Sequence, residues 1–404
     1  MQVSQQLNPT GSCHCQVNAG SPAVVLLCGQ KLKDQILTMR NGVGKLTLLR
    51  LGLKQARRII AINHNPILKN ILVAAFFSLS AWAQSSPPAG ALIVRQTNSG
   101  TSGAEFTTIS SAVAALSRLT GPQTIFIYPG TYTEQVKISY PYSLSLQGYS
   151  SNPTSSASNQ VTVRAAVSAA QAGSNSKSAT IWAYSPGLGC LIESFADNFT
   201  NCCSLLVRIR NVINSFGTGT DTQALALAAT GRRQVFKHCV FSSFQDTVSI
   251  EGTSYFFESR IEGAVDFVFG SGSAWFEAVI LAIKPASSPV ITAQRNSPGG
   301  ITAFVFNRAQ VISAGASAGS AYLGRPWSED ATVIFQFCSL SDVINPAGWR
   351  IWAPSQPNTA RAKFQEYRNS GPGASTRARQ LGTQMSSQVE ISSILGSDYS
   401  TWAQ

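Results

Sequence analysis

Five segments in the second half of the chain open on phenylalanine and run through a polar residue into a β-rich tail. They are Phe236-Lys-His-Cys, Phe257-Glu-Ser-Arg, Phe276-Glu-Ala-Val, Phe306-Asn-Arg-Ala and Phe335-Gln-Phe-Cys. The phenylalanines lie 21, 19, 30 and 29 residues apart, and Val207-Arg-Ile-Arg fits as one unit earlier. A unit of roughly 20–30 residues cannot bury its own apolar face, so it must stack on copies of itself. This points to a solenoid whose coils place the same side chain at the same level. From spacing alone, a β-sandwich with irregular loops is the alternative.

The rest of residues 84–404 agrees with a strand-rich chain. Short β-branched and aromatic runs such as Thr124–Tyr128, Leu144–Gln147, Val161–Val163 and Leu205–Ile209 alternate with Gly, Ser and Asn clusters, the pattern of strands and turns. Helical periodicity is confined to Ser110–Leu119, with a cap expected at Thr108 or Ser110. Charged residues make up 12% of the chain, about half the usual ~25%, which argues against disorder and against a coiled coil. The net charge of +12 is unevenly placed. Residues 1–83 hold nine Lys/Arg and one Asp, leaving 21 basic against 17 acidic residues in 84–404. That part is only mildly basic and has no dense Lys/Arg stripe, so it suits weak steering of an acidic substrate better than nucleic acid.

Ahead of this region, Lys69 is followed by the apolar run Ile71–Leu79 and by Ala81-Trp82-Ala83. A charged flank, a short apolar stretch and small residues at the −3 and −1 positions read as a secretory signal over 66–83, cut after Ala83. An uncleaved anchor or a buried helix is the alternative. Residues 1–65 are a doubtful N-terminal extension, expected to lie outside the fold, and 84–404 a single domain. The expected product is a secreted, extracellular monomer with no membrane contact after cleavage. Of eight Cys, five follow Ala83: Cys190, Cys202, Cys203, Cys239 and Cys338. An odd count in a secreted chain leaves at least one thiol unpaired. Asn198-Phe199-Thr200 is a candidate glycosylation sequon.

His238 is the only histidine after Ala83, and it sits inside a repeat unit, which suits a structural role. A Ser-His-Asp triad and a His-rich metal site are therefore poor readings, and a hydrolase here must work with carboxylates. Asp246 in Phe244-Gln245-Asp246-Thr247 and Asp266 in Val265–Gly270 each follow a repeat unit. Gln223 precedes Gln245 by 22 residues, and Asp266 follows it by 21. If each step is one coil, these residues stack on rungs ~4.8 Å apart. Two carboxyls so close push their pKa values apart, which lets one attack while the other donates a proton. Taken alone, each Asp could as well cap a turn.

Five motifs bear on the choice: Gly130-Thr-Tyr132-Thr-Glu134, Gln223-Ala-Leu-Ala-Leu227, Gln245-Asp-Thr247, Asp266-Phe-Val-Phe-Gly270 and Leu323-Gly-Arg-Pro-Trp327. In this order they closely resemble the pectin methylesterases (pectinesterases, carbohydrate esterase family 8) of fungal type, over roughly Leu92 to Trp402. The resemblance implies an all-β, right-handed parallel β-helix with a short N-terminal helix. It also implies hydrolysis of the methyl esters of pectin to methanol and pectate. Asp266 matches the nucleophile, and Asp246 the general acid and base. Gln223 and Gln245 match the amides that stabilise the oxyanion, Arg325 the residue that orients the nucleophile, and Trp327 a wall of the sugar cleft. Tyr132 and Phe267 match lining residues, although either could equally belong to the core. No metal and no organic cofactor is implied, and the partner is methyl-esterified homogalacturonan. Val248-Ser249 departs from the family, where a Leu and often an aromatic stand, and Val235 stands where Gly is common. The competing readings are a chain-cleaving β-helix pectinase and a non-catalytic pectin-binding β-helix protein.

Overall fold

The structure, a computed structural model, describes five strands between residues 3 and 49 together with residues 86–97, 105–152, 155–184, 204–208, 211–219 and 222–403. By their contacts, Met1–Ser80 and Ala81–Gln404 are two separate units. In the first, Val3–Leu7, Cys13–Val17, Val24–Cys28, Ile36–Asn41 and Gly44–Leu49 pair antiparallel in chain order. The signal expected over 66–83 lies outside the described residues, as do Asn198, Cys190, Cys202 and Cys203. Among the described residues no helix is long and apolar enough to cross a membrane.

The second unit is a right-handed parallel β-helix. Successive strands fall in turn on a 12-stranded, an 8-stranded and a 7-stranded sheet, and within each sheet the neighbours pair parallel. Parallel crossovers of this kind are right-handed almost without exception. The 7-stranded sheet carries the candidate site. Its strands are β1 (Val136–Ile138), β2 (Ile181–Ala183), β3 (Leu227–Ala229), β4 (Val248–Ile250), β5 (Val265–Gly270), β6 (Val290–Gln294) and β7 (Tyr322–Pro326).

The core is a column of rings along the helix axis. Phe236, Phe256, Phe276, Phe306 and Phe335 share one register on the 12-stranded sheet. Their centroids stack 4.7, 4.7, 4.4 and 4.4 Å apart. The repeat read from the sequence is therefore right in kind but shifted by one residue in its second unit, where Phe256, not Phe257, joins the column. Phe257 is level with Lys237 and Glu277 and faces outward. The corner after it explains the register. His238, Glu258, Ala278, Arg308 and Phe337 all adopt left-handed backbone, with φ between 43° and 56°. The chain turns there, and the residue two before the corner points inward.

Both ends of the column are covered. Helix Ile109–Ala115 is capped by the Thr108 side chain and buries Ile109 and Ala112, and a 3₁₀ turn over Leu116–Arg118 completes the helix expected over Ser110–Leu119. Glu134 accepts from the Ile109 and Ser110 amides at 2.8 and 2.9 Å, a carboxylate on a helix N-terminus. At the other end Trp349 stacks on Phe364 at 4.3 Å, and its indole N–H donates to Glu366, which pairs with the buried Arg379. Short helices Ile391–Leu395 and Tyr399–Trp402 pack on the outward residues Val235, Tyr255, Trp275, Val305 and Ile334. Cys239 and Cys338 are buried thiols that donate to backbone carbonyls.

Candidate active site

Gln223 bridges in parallel to Gln245, and Gln245 to Val265. The two amides therefore stand on successive rungs, and Asp246 stands one rung before Asp266, with ~4.8 Å between rungs. The Asp246 N–H donates to Val265 O at 3.1 Å and fixes this level. Left-handed backbone re-aims each carboxyl, and at Asp266 it coincides with a bulge. Between Val265 and Val268 lie two residues opposite the single residue between Val290 and Thr292. Asp266 absorbs the extra residue with φ 48°, and Asp246, its equivalent one rung earlier, shares the left-handed backbone with φ 62°. Asp is among the few side chains that tolerate this conformation, and bulges commonly re-aim a side chain at a site. The turn needs Gly263 beneath it, because a Cβ there would lie 2.2 Å from that of Phe267.

The two carboxyls are 7% and 4% exposed, yet their partners differ. Arg325 reaches Asp266 with two bonds, Nε to Oδ1 at 2.9 Å and Nη2 to Oδ2 at 2.5 Å. Asp246 accepts from Asn175 Nδ2 at 3.3 Å. Burial pushes both carboxyls above the usual range. For Asp266 the guanidinium of Arg325 pulls back against burial. For Asp246 the negative charge of Asp266 adds to burial, and Arg325 and Asn175 offset it in part. Asp266 is thus the first of the pair to ionise, and Asp246 keeps its proton to higher pH.

Gln223 and Gln245 are half-buried. Thr222 Oγ1 donates to Gln245 Oε1 at 2.8 Å, which turns the amide NH₂ away from Thr222. Trp327 is half-buried, 6.0 Å from Phe269 and 6.5 Å from Trp352 by ring centroids. Trp352 lies against Arg325, with Cζ 4.2 Å from the ring centroid. Two carboxyls that ionise in sequence, the arginine-paired one first, and amide groups on adjacent rungs can together carry out nucleophilic acyl transfer.

Six of the eight residues singled out from the sequence come together here: Gln223, Gln245, Asp246, Asp266, Arg325 and Trp327. Two do not line the cleft. Phe267 is 0% exposed, because the bulge that turns Asp266 outward turns its neighbour into the core. Tyr132 is 3% exposed and lies in the core, its hydroxyl donating to Tyr128 O at 3.0 Å. His238 is structural, its Nδ1 3.4 Å from Glu258. Asn175, Thr222 and Trp352 are added by the structure. Trp352 had a signal in the paired tryptophans of Trp349-Arg-Ile-Trp352. Asn175 lies in an ordinary Gly/Ser/Asn stretch and had none.

The family model for pectinesterase matches residues 199–394. A pectinesterase from Aspergillus aculeatus is 35% identical over 348 residues, covering 83% of this chain and 98% of the relative. One from Aspergillus niger is 36% identical over 347 residues, with the same coverage. Among solved structures, the deglycosylated pectin methylesterase of A. niger superposes with a TM-score of 0.68 at 31% identity, over 80% of this chain and 99% of that one. The carrot pectin methylesterase, at 24% identity and TM-score 0.63, shares the fold.

Proposed function

The chain belongs to the pectinesterase family and is an enzyme of the pectin methylesterase type, and from that premise we propose that Asp266 is its nucleophile and Asp246 its general acid and base. Asp266 Oδ attacks the C6 carbonyl carbon of a methyl-esterified galacturonate unit. The carbonyl electron pair moves onto oxygen, where the amides of Gln223 and Gln245 donate to the oxyanion. The tetrahedral species collapses, the C–OCH₃ bond breaks, and Asp246 gives its proton to the departing methoxide. Methanol leaves behind an acyl anhydride on Asp266. Asp246, now a carboxylate, takes a proton from water as its oxygen attacks the galacturonyl carbonyl; the bond from that carbon to Asp266 Oδ breaks, Asp266 leaves as a carboxylate, and the freed galacturonic acid loses its proton to solvent to give pectate.

The observation that carries this reading is the asymmetry between the carboxyls: Arg325 bonds Asp266 twice, and Asp246, one rung away, is left to hold a proton. The test is methanol release from pectin. The wild-type protein should release methanol without new reducing ends or unsaturated products, and Asp266→Ala should release none while still binding pectin. New chain ends would favour a chain-cleaving enzyme. Binding without methanol over a broad pH range would favour a pectin-binding protein.

The same reading makes the product a secreted monomer, cut after Ala83, with a glycan on Asn198 and without residues 1–65. N-terminal sequencing of secreted material should begin at Gln84. A start within residues 1–65 would overturn this part alone.

A further inference from the structure

Among the described residues four large apolar side chains stand exposed, and two of them, Tyr142 at 39% and Tyr184 at 42%, line one cavity. Tyr140, Arg232 and Gln234 line it with them. The cavity lies at the opposite edge of the 7-stranded sheet from the paired carboxyls. Asp246 precedes β4 and Asp266 lies near the start of β5, whereas Tyr142 follows β1, Tyr184 follows β2 and Arg232 follows β3. One strand length and two rungs separate Tyr184 from Asp246, roughly 15–20 Å. None of the five residues belongs to the machinery proposed above.

The rings are held in place. Tyr140 is buried, donates its hydroxyl to Gly121 O at 2.7 Å, and lies 5.4 Å from Tyr142 between ring centroids. The Tyr184 N–H donates to Ile138 O at 2.9 Å, and its ring meets Trp182 edge-on at 5.9 Å. Arg232 is exposed, and among the described residues its guanidinium meets neither a carboxylate nor a hydrogen-bond acceptor. Its neighbour Arg233, by contrast, pairs with Asp398. Gln234 is 1% exposed. Its Nε2 donates to Ala183 O at 2.9 Å, and its buried Oε1 meets no donor among the described residues.

Exposed rings already fixed in position offer an apolar surface at little cost in conformational entropy. A guanidinium without an acidic partner matches a carboxylate. An acceptor without a donor suits a ligand that carries hydroxyls. A sugar acid combines the three, with an apolar ring face, a carboxylate and hydroxyl groups. We infer that this cavity binds a uronate unit of de-esterified pectin, as a second polymer site apart from the one that carries out hydrolysis; the identity of the polymer rests on the pectin reading given above. A chain long enough to engage both sites gains by avidity, and a short one does not.

The test compares full-length wild-type protein with Tyr184→Ala, Tyr184→Phe, Arg232→Gln and the double variant Tyr184→Ala/Arg232→Gln. Polygalacturonate binding is titrated, and kcat/KM for methanol release is measured on long pectin and on a short methyl-esterified oligomer. Tyr184→Ala and Arg232→Gln should each weaken polygalacturonate binding by about threefold to tenfold. Tyr184→Phe should bind as wild type does, because the ring makes the contact. Salt at 0.5 M should bring wild type close to Arg232→Gln. In the double variant kcat/KM should fall by about tenfold on long pectin and stay unchanged on the oligomer. Equal loss on pectin and oligomer would overturn the assignment, as would polygalacturonate binding by the double variant equal to wild type. If wild type releases no methanol and the variants still lose polygalacturonate binding, the hydrolysis reading fails and the cavity assignment stands. If wild type releases methanol and the double variant binds as tightly, the cavity assignment fails alone.

Discussion

Arg325 holds both carboxylate oxygens of Asp266, at 2.9 and 2.5 Å, from a strand two places further along the same sheet. The pair joins residues 59 apart in sequence, and β6 lies between their strands. Replacing Arg325 with Ala leaves a nearly buried carboxyl without its cation. Two charge-assisted bonds are lost, so kcat/KM should fall by about 10² or more. Asp266 also loses the influence that pulls its pKa down against burial. The acid limb of kcat/KM against pH, which marks ionisation of the proposed nucleophile, should move to higher pH. A uniform fall at every pH would show that Arg325 does not act through Asp266.

Burial and the charge of Asp266 push the pKa of Asp246 well above the usual carboxylate range, and this has a cost in stability. A carboxyl whose folded pKa lies above its unfolded value binds more protons folded than unfolded within that interval. Stability then falls as pH rises through the unfolded value towards the folded one. Asp246→Asn keeps the shape and removes the titration. It should lower kcat by about 10²–10⁴, because the proposed general acid and base is gone. Its Tm at pH 7 should equal or exceed that of wild type, with the difference disappearing near pH 3. A variant that is inactive and less stable at pH 7 would contradict the assigned direction.

The ring column offers a test of packing free of the chemistry. Phe256 is fully buried between Phe236 and Phe276, while Phe257, one residue on, faces outward beside Tyr255. Phe256→Ala should cost about 3–5 kcal/mol through lost burial and the cavity left between two rings. Phe257→Ala should cost roughly 1–2 kcal/mol. Urea midpoints of the two variants decide the order, and equal midpoints would refute the register.

The same two residues mark how far the sequence could be read. The period was legible because five successive coils place a phenylalanine at one level of the column. The register within one unit was not, because two adjacent phenylalanines satisfy the pattern equally and only the left-handed corner at Glu258 chooses between them. The site was legible for a related reason. Rung spacing converts a step of 21 or 22 residues into adjacency, so Gln223, Gln245 and the two aspartates could be brought together before any coordinates. Phe267, matched by the resemblance to a lining residue and open to a core role, lies in the core, where the alternation of a strand puts the neighbour of an outward Asp266. Asn175 was beyond reach: it arrives from a four-residue helix outside the repeat, and nothing in its neighbours sets it apart.

Asn175 makes a prediction with an unusual sign. Its amide donates to Asp246 Oδ2 at 3.3 Å and is one of the influences that lower the pKa of that carboxyl. Asn175→Ala removes the donor, so Asp246 should hold its proton to still higher pH. The alkaline limb of kcat/KM, where the general acid is lost, should therefore move upward even as the maximal rate falls roughly three- to tenfold from poorer positioning. Asn175→Asp replaces the donor with a third carboxyl and should move the limb further in the same direction, since a neighbouring negative charge opposes ionisation. KM for pectin should change little in the Ala variant if Asn175 acts through Asp246 and not on the polymer. A downward shift of the limb in either variant, or a change confined to KM, would assign Asn175 to substrate binding.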